Sequence, residues 1–167
     1  MELLDSKGPA GMGGIIATYP FIGKVVSESA ESLMRGGPLP WVDCEYIAAI
    51  TSSFNECGFC HLSHSAVLEN LTECEPGQTT DERRSIYNSI ILYVTEGVSL
   101  EEPLVERALK DGMTKDEIAH AIAVASLFCF FNNMVSAFGG REASSEEYEA
   151  IGKMLSSKGY MIEKEDL

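Results

Sequence analysis

Two cysteines and two histidines lie within eight positions of the stretch FNECGFCHLSHSAV, residues 54–67. Their spacing is compatible with three chemistries. Cys57-Gly-Phe-Cys60-His61 matches the five-residue attachment site for c-type haem, and two cysteines with two histidines could bind zinc. Cys57 and Cys60 could equally form a redox-active dithiol, with His64 as its base.

Helical geometry favours the dithiol. At about 100° per residue, Cys57, Cys60 and His64 fall on one narrow face of a helix. His64 follows Cys60 by one turn, within side-chain reach, and cysteines three positions apart can form a disulfide. A pair at the start of a helix is also close to unpaired backbone N–H groups, which favour thiolate and lower the cysteine pKa. The stretch therefore supplies a nucleophilic sulfur, a second sulfur to resolve it and a base.

The residues alone leave the other interpretations open, with an argument against each. Haem attachment normally takes place outside the cytoplasm, and the N-terminal residues lack the pattern of a secretory signal. A structural zinc site usually takes two ligands from each of two separated segments, and the sequence has no second C-x-x-C or H-x-x-x-H. A structural role, with two buried thiols and incidental histidines, is the remaining alternative.

The other three cysteines have no companion motif. Five cysteines are an odd number, which is a poor basis for a disulfide framework. Cys129 lies in the apolar stretch SLFCFF and is expected to be a small buried hydrophobic residue. Cys44 and Cys74 are interpreted as structural or incidental.

Composition indicates one acidic globular domain. A chain of 167 residues is long enough for a hydrophobic core. Its 12 basic residues against 26 acidic ones give a net charge of −14, which argues against a nucleic-acid partner. The apolar run over residues 121–131 has eleven residues, whereas a membrane span needs about 20. We therefore expect a cytoplasmic protein without a membrane partner.

The hydrophobic pattern predicts helices almost throughout. The predicted helices cover 20–34, 41–55, 58–70, 82–97 and 115–138, with a further helix after Glu102 and a last one ending near Gly159. Asp81 is predicted to cap the fourth helix, and Ser99, Thr114 and Ser144 each precede a glutamate by three residues, as in a capping box. The helix over 115–138 is apolar on most of its faces and must be buried on most of them, which predicts subunit association.

Glu45 lies twelve positions before Cys57. On one unbroken helix the two residues would be about 18 Å apart and could not meet. Asn55-Glu-Cys-Gly58 has the composition of a helix break. If the chain folds back at this break, Glu45 can face the cysteines.

Taken together, Glu45-x11-Cys57-x-x-Cys60-x-x-x-His64 resembles the signature of the alkylhydroperoxidase D-like proteins, which belong to the carboxymuconolactone decarboxylase superfamily. The resemblance extends over roughly residues 40 to 140. CEYIAAITSSFNECGFCHLSHSAVL is similar to the core helix pair of the family. ALKDGMTKDEIAHAIAVASLFCFFNNMVSAFG is similar to the later helix pair of its peroxidase-related branch.

The resemblance implies an all-α fold, a bundle of about six to eight helices in a single domain over residues 15–160. A flexible N-terminal tail over 1–14 and a C-terminal tail over 161–167 flank this domain. It also implies assembly into a homotrimer or homohexamer, in agreement with the apolar helix over 115–138.

The family mechanism implies an antioxidant thiol peroxidase without haem, metal or another cofactor. Cys60 would be peroxidatic and attack the hydroperoxide, and Cys57 would resolve the sulfenic acid by closing the Cys57–Cys60 disulfide. His64 would take the thiol proton, and Glu45 would support a proton relay through Cys57 and a water. A dithiol protein, thioredoxin-like or lipoyl-bearing, would then restore the reduced pair.

Several other activities compete with this one. A disulfide reductase or a redox stress sensor would use the same dithiol. A metal- or haem-binding module would use the same stretch. A decarboxylase is disfavoured because the true decarboxylases of the superfamily generally lack the cysteine pair. Phe59 stands where some hydroperoxidases of the family have a histidine, and His61, directly after Cys60, is expected to have no catalytic role.

Overall fold

The computed structural model describes residues 3–74 and 79–162, with the backbone alone at 73 and 74. Within these ranges the protein is all-α, with eight helices and no strand, which confirms the predicted fold class. The helices are α1 (Gly11–Thr18), α2 (Pro20–Arg35), α3 (Trp41–Phe54), α4 (Gly58–Cys74), α5 (Asp81–Glu96), α6 (Glu102–Lys110), α7 (Lys115–Phe138) and α8 (Ser145–Lys158).

Two of the three predicted capping boxes are present. Thr114 and Ser144 each accept a hydrogen bond from the backbone of the glutamate three residues on, and the side chain of that glutamate accepts one from the backbone of the cap residue. The capping box predicted at Ser99 is wrong. The N-cap residue of α6 is Glu101, and its side chain makes no capping hydrogen bond. The cap predicted at Asp81 is also wrong, because Thr80 accepts from Arg83 N and Asp81 is the first helical residue.

Helix α7 runs through the centre of the bundle and packs against α1, α2, α3, α5 and α6. Its inner face, which includes Ala121, Val124, Ala125 and Phe128, is almost inaccessible to solvent. Among the described helices, α7 alone is long and apolar enough to cross a membrane by length and composition. A core helix has the same composition, and the inner face of α7 is buried in this way.

The break predicted between α3 and α4 is present and brings the two helices side by side. Asn55 ends α3, and Glu56 has a left-handed backbone with φ 55°. The Cys57 N–H then donates to Ser52 O at 2.9 Å, which closes the turn. This turn places Cys57 directly before α4.

The sequence predicts a flexible tail over residues 1–14, but residues 10–14 are packed against the bundle. Ala10 is buried, and α1 begins at Gly11, whose N–H donates to Arg141 O at 3.0 Å. Gly11 has φ +47°, and a Cβ atom there would lie 2.1 Å from the Phe59 ring. Only glycine fits this position, so the glycine-rich start of the chain can pack against α4.

The predicted C-terminal tail over 161–167 is only partly described. Tyr160 is buried directly before it, and Ile162 packs against the hydrophobic core, so the chain continues in contact with the bundle beyond α8. Residues 163–167 lie outside the described part. The domain limits of 15 and 160 stay a prediction.

Candidate active site

Glu45 on α3 and His64 on α4 form a buried pair at the interface of these two helices. The His64 Nδ1 atom lies 2.8 Å from Glu45 Oε2, and the Glu45 side chain has no exposed surface. The fold-back therefore brings Glu45 to the histidine of the same motif, and whether it also faces the cysteines stays a prediction. Since a carboxylate oxygen accepts, His64 Nδ1 is the donor in this contact, and in a ring with one proton Nε2 is the nitrogen that can accept.

The second carboxylate oxygen of Glu45 has two further donors. Trp41 Nε1 donates to Oε1 at 2.7 Å, and the Tyr160 hydroxyl donates to the same atom. Complete burial, followed by the nearby Glu45 charge, raises the pKa of Tyr160, so the hydroxyl keeps its proton and remains a donor. These three donors satisfy the hydrogen-bonding capacity of a buried carboxylate.

Two aromatic rings fix the His64 imidazole. Phe128 of α7 meets it edge-on at 4.5 Å between ring centroids, and the Tyr160 ring stacks on it at 6.0 Å. Tyr160 therefore contacts both members of the Glu45–His64 pair from the chain segment that follows α8. Neither spacing nor residue type signals this role in the sequence, because Tyr160 lies far along the chain from the motif.

We expect Tyr160→Phe to lower the free energy of unfolding by about 1.5–3 kcal/mol, the range for hydrogen bonds to charged groups. The change removes one donor from a buried carboxylate and leaves the stacked ring. The free energy of unfolding is measured by urea denaturation. Tyr46→Phe is the matched control, because the Tyr46 hydroxyl donates to Asn88 at an exposed position. Equal losses in the two variants would contradict this assignment.

Cys57 and Cys60 form a reduced, interacting pair at the start of α4. Both side chains are buried, and neither is in a disulfide. A hydrogen bond from the Cys60 thiol lowers the pKa of Cys57 to about 7 against the opposing effect of burial, with a smaller contribution from the Cys60 backbone N–H. The same thiol–thiol bond and burial raise the pKa of Cys60. The pair therefore loses its first proton from Cys57, and Cys60 keeps its proton as the donor.

Asn132 of α7 is a third polar group at the cysteine pair. Its side chain lies close enough to lower the pKa of Cys57 further and to oppose the rise in the pKa of Cys60. Its amide is held in place, since Asn55 Nδ2 donates to its Oδ1 at 2.9 Å and its Nδ2 donates to Ser52 Oγ at 3.0 Å. The sequence pattern does not assign Asn132 to the site. The available signal is a polar residue directly after the apolar run of a core helix.

The cysteine pKa values predict the pH dependence of thiolate formation. The ultraviolet absorbance of the thiolate should rise through about pH 7 and fall below it, because the thiolate is lost as pH drops through the lowered pKa of Cys57. Asn132→Ala should move this midpoint upward, whereas Asn133→Ala, at the exposed neighbouring position, should leave it in place. A wild-type midpoint near the ordinary cysteine value of about 8.5 would contradict the assigned hydrogen bonds.

A cavity of about 390 Å³ adjoins Cys60 and His64. Its walls come from α1, α2, α4, α7 and α8 and are mostly apolar, and Phe59 and Tyr160 both contribute to them. Among the described residues that line it, Cys60 is present and Cys57 is not. The cavity thus gives a small molecule access to one sulfur of the pair, beside the histidine.

The other histidine and cysteines considered in the sequence analysis lie outside the candidate active site. His61 Nδ1 lies 3.0 Å from Ala49 O, where it links α4 to α3. Cys44 is buried, and burial followed by the charge of Glu45 raises its pKa to about 12, as a structural thiol requires. Cys129 is half-buried, and the side chain of Cys74 lies outside the described part. Among the side chains that the structure describes, in residues 3–72 and 79–162, no three of His, Cys, Asp or Glu are placed to hold a metal ion.

Comparison with known proteins defines the fold class. No protein-family model matches the chain, and no curated protein matches it at a significant level. An uncharacterised peroxidase-related protein from Ralstonia eutropha JMP134, described as an alkylhydroperoxidase D core, superposes with a TM-score of 0.70 and 21% identity over 84% of this chain and 79% of its own. An uncharacterised peroxidase-related protein from Silicibacter sp. TM1040 superposes with a TM-score of 0.71 and 21% identity. The match covers 83% of this chain and 78% of that protein.

The chain therefore has the alkylhydroperoxidase D-like fold, and the predicted resemblance is confirmed at the level of the fold. At 21% identity the likeness concerns the fold alone. The function must be argued from the site itself.

Proposed function

We propose that the protein is a thiol-dependent hydroperoxide reductase in which Cys60 attacks the peroxide and Cys57 resolves the product. The observation that carries this proposal is the buried Cys57–Cys60 pair, whose second sulfur lines an apolar cavity beside His64. Glu45 acts through His64, as a positioning residue.

The first step prepares the nucleophile. The dithiol loses one proton to His64 Nε2, and the charge rests on Cys57, which accepts the hydrogen bond of the Cys60 thiol. Glu45 stabilises the imidazolium through Nδ1–H, at 2.8 Å. A positive ring held by a buried carboxylate is then available as a proton donor in the cavity.

The second step breaks the O–O bond. The Cys60 sulfur attacks the terminal peroxide oxygen while its proton passes to the Cys57 thiolate. The departing alkoxide takes the proton of the His64 imidazolium and leaves as an alcohol. Cys60 is now a sulfenic acid, Cys57 is a thiol, and His64 is neutral again.

The third step closes the disulfide. The Cys57 sulfur attacks the Cys60 sulfenic acid, and water leaves with the Cys57 proton. The sum converts two thiols and one hydroperoxide into one disulfide, one alcohol and one water. We propose that a thioredoxin-like or lipoyl-bearing dithiol protein then reduces the Cys57–Cys60 disulfide by exchange.

The cavity supports an organic hydroperoxide as the substrate. A water molecule occupies about 30 Å³ in the liquid, so hydrogen peroxide would fill only a small part of the cavity. The cavity's 390 Å³ lies within the range of about 300–1,000 Å³ for small-molecule sites. Burying an apolar substituent there contributes binding energy that hydrogen peroxide lacks.

Assembly and localisation are part of the same proposal. We propose a cytoplasmic homotrimer or homohexamer. Phe54 on α3 and Phe130 on α7 are each 50% exposed, an amount of uncovered aromatic surface that subunit contact would bury. Sedimentation equilibrium measures the assembly directly, and a monomer at micromolar concentration would contradict it.

A disulfide reductase is the second candidate, because a first-cysteine pKa of about 7 is also typical of thiol–disulfide oxidoreductases. Comparing initial rates on cumene hydroperoxide and on hydroxyethyl disulfide, with dithiothreitol as reductant, separates the two. We expect peroxide consumption to dominate. Faster reduction of the disulfide would favour the second candidate.

A further inference from the structure

Two buried hydroxyl groups in the cavity wall have no partner. Ser27 of α2 and Ser63 of α4 both line the cavity, and their side chains are 4% and 3% exposed. Neither hydroxyl makes a hydrogen bond to any part of the chain that the structure describes. A buried hydroxyl without a partner costs free energy, and native proteins rarely keep two of them around one apolar cavity.

The two serines occupy different positions relative to the reacting sulfur. Ser63 follows Cys60 by three residues on α4, so the two side chains are neighbours on one helix face. Ser27 lies on α2, in another wall of the cavity, beside Val26 and Ala30. A molecule that satisfies both hydroxyls therefore carries one oxygen close to Cys60 and a second oxygen that reaches the α2 wall.

The charges around the cavity exclude an anion. Among its described lining residues, none is lysine or arginine. Glu147 is the acidic lining residue, and Arg141 is already committed to it, with its Nη2 atom 2.6 Å from Glu147 Oε1. The Arg141 Nε atom donates to Gly8 O, so this guanidinium does not serve a second anion. His64 also lines the cavity, but Glu45 already pairs with its ring at 2.8 Å, so a carboxylate in the cavity would be desolvated without a cationic partner of its own.

We propose that the cavity binds a neutral, mostly apolar hydroperoxide that carries a second hydrogen-bonding oxygen, a ketone or a hydroxyl, remote from the peroxide group. Ser63 binds the oxygen beside Cys60, and Ser27 binds the remote oxygen. This inference rests on the proposed function and adds the chemical class of its substrate. The two serines are specificity-determining residues, and the reacting groups are those described above.

The test uses unreactive alcohols in place of hydroperoxides, so it does not require turnover. The probes share a cumyl alcohol skeleton with a para substituent: acetyl, which adds a remote carbonyl, isopropyl, which is apolar and similar in size, or carboxylate. Dissociation constants are measured by titration calorimetry on the full chain. The variants are Ser27→Ala and Ser63→Ala, with Ser29→Ala as control, because Ser29 lies on the same helix outside the cavity and donates to Val25 O at 2.7 Å.

We expect the acetyl probe to bind the wild type most tightly and the carboxylate most weakly. Ser27→Ala should raise the dissociation constant of the acetyl probe about tenfold, because it removes the hydrogen bond to the carbonyl. The isopropyl probe makes no such bond, so its dissociation constant should stay the same or fall. Ser63→Ala should weaken the binding of all three probes, whereas Ser29→Ala should leave all three dissociation constants unchanged. Retained preference for the acetyl probe in Ser27→Ala, or tightest binding of the carboxylate, would overturn the inference.

The outcome is separable from that of the proposed function. Normal peroxide turnover with no effect of Ser27 on probe binding would overturn this inference alone. Probe binding that follows Ser27 in a protein that does not consume hydroperoxides would overturn the peroxidase and leave a binding site of the same ligand chemistry.

Discussion

Cys60→Ser is expected to reduce hydroperoxide turnover by about 10⁴-fold or more, as is typical when an enzymatic nucleophile is removed. A serine hydroxyl in this apolar wall is not ionised and attacks an O–O bond poorly. The substitution keeps the volume of the side chain nearly unchanged, so the fold should persist. Turnover is measured as peroxide loss with dithiothreitol in excess.

Cys57→Ser provides the comparison for this variant. It should still reduce one equivalent of hydroperoxide, because Cys60 remains, and then stop with Cys60 as a sulfenic acid. Trapping that acid with dimedone and locating it by mass spectrometry identifies the attacking sulfur. A dimedone adduct on Cys57 in the Cys60→Ser protein, together with full single-turnover reduction, would reverse the two roles.

Glu45→Gln is expected to slow Cys60 oxidation by about 10²–10⁴-fold, the contribution of a positioned acid–base group. Trp41 and Tyr160 both donate to Oε1 of Glu45. The amide oxygen of glutamine should therefore take the position of Oε1 and keep these two hydrogen bonds. The amide NH₂ then faces His64 Nδ1, which must become an acceptor. The proton moves to Nε2, and His64 can no longer accept a proton from the thiol.

Asp43→Asn is the matched control, since Asp43 is a second buried carboxylate on α3. It accepts from the Tyr87 hydroxyl at 2.8 Å and from Thr79, away from His64. Asp43→Asn should lower stability without changing the rate of Cys60 oxidation, as measured by stopped-flow mixing with cumene hydroperoxide. An equal loss of rate in both variants would show that the effect of Glu45 is structural.

The parts of the fold that depend on local residues are predictable from the sequence. Helix starts at Lys115 and Ser145 follow from capping boxes, and the break after Phe54 follows from its turn-forming residues. The glycine-rich start suggests a flexible tail because glycine is a poor helix former. The structure uses Gly11 for contact with Phe59, a long-range effect that composition does not show.

The candidate site is predictable only as far as its residues share a motif. The spacing of Cys57, Cys60 and His64 by itself indicates a dithiol with a base. Tyr160 and Asn132 join the site through packing of α7 and the segment after α8, so no sequence spacing relates them to the motif. The partner of Glu45 does not follow from the sequence either, because it depends on the register in which α3 packs against α4.

The central claim is that one hydroperoxide molecule oxidises the Cys57–Cys60 pair. Thiols are counted in the reduced protein before and after addition of one equivalent of cumene hydroperoxide per chain, and the peptides are then mapped by mass spectrometry. We predict the loss of two thiols per chain, a single Cys57–Cys60 disulfide and one equivalent of cumyl alcohol. An unchanged thiol count, or a disulfide that involves another cysteine, would contradict the account.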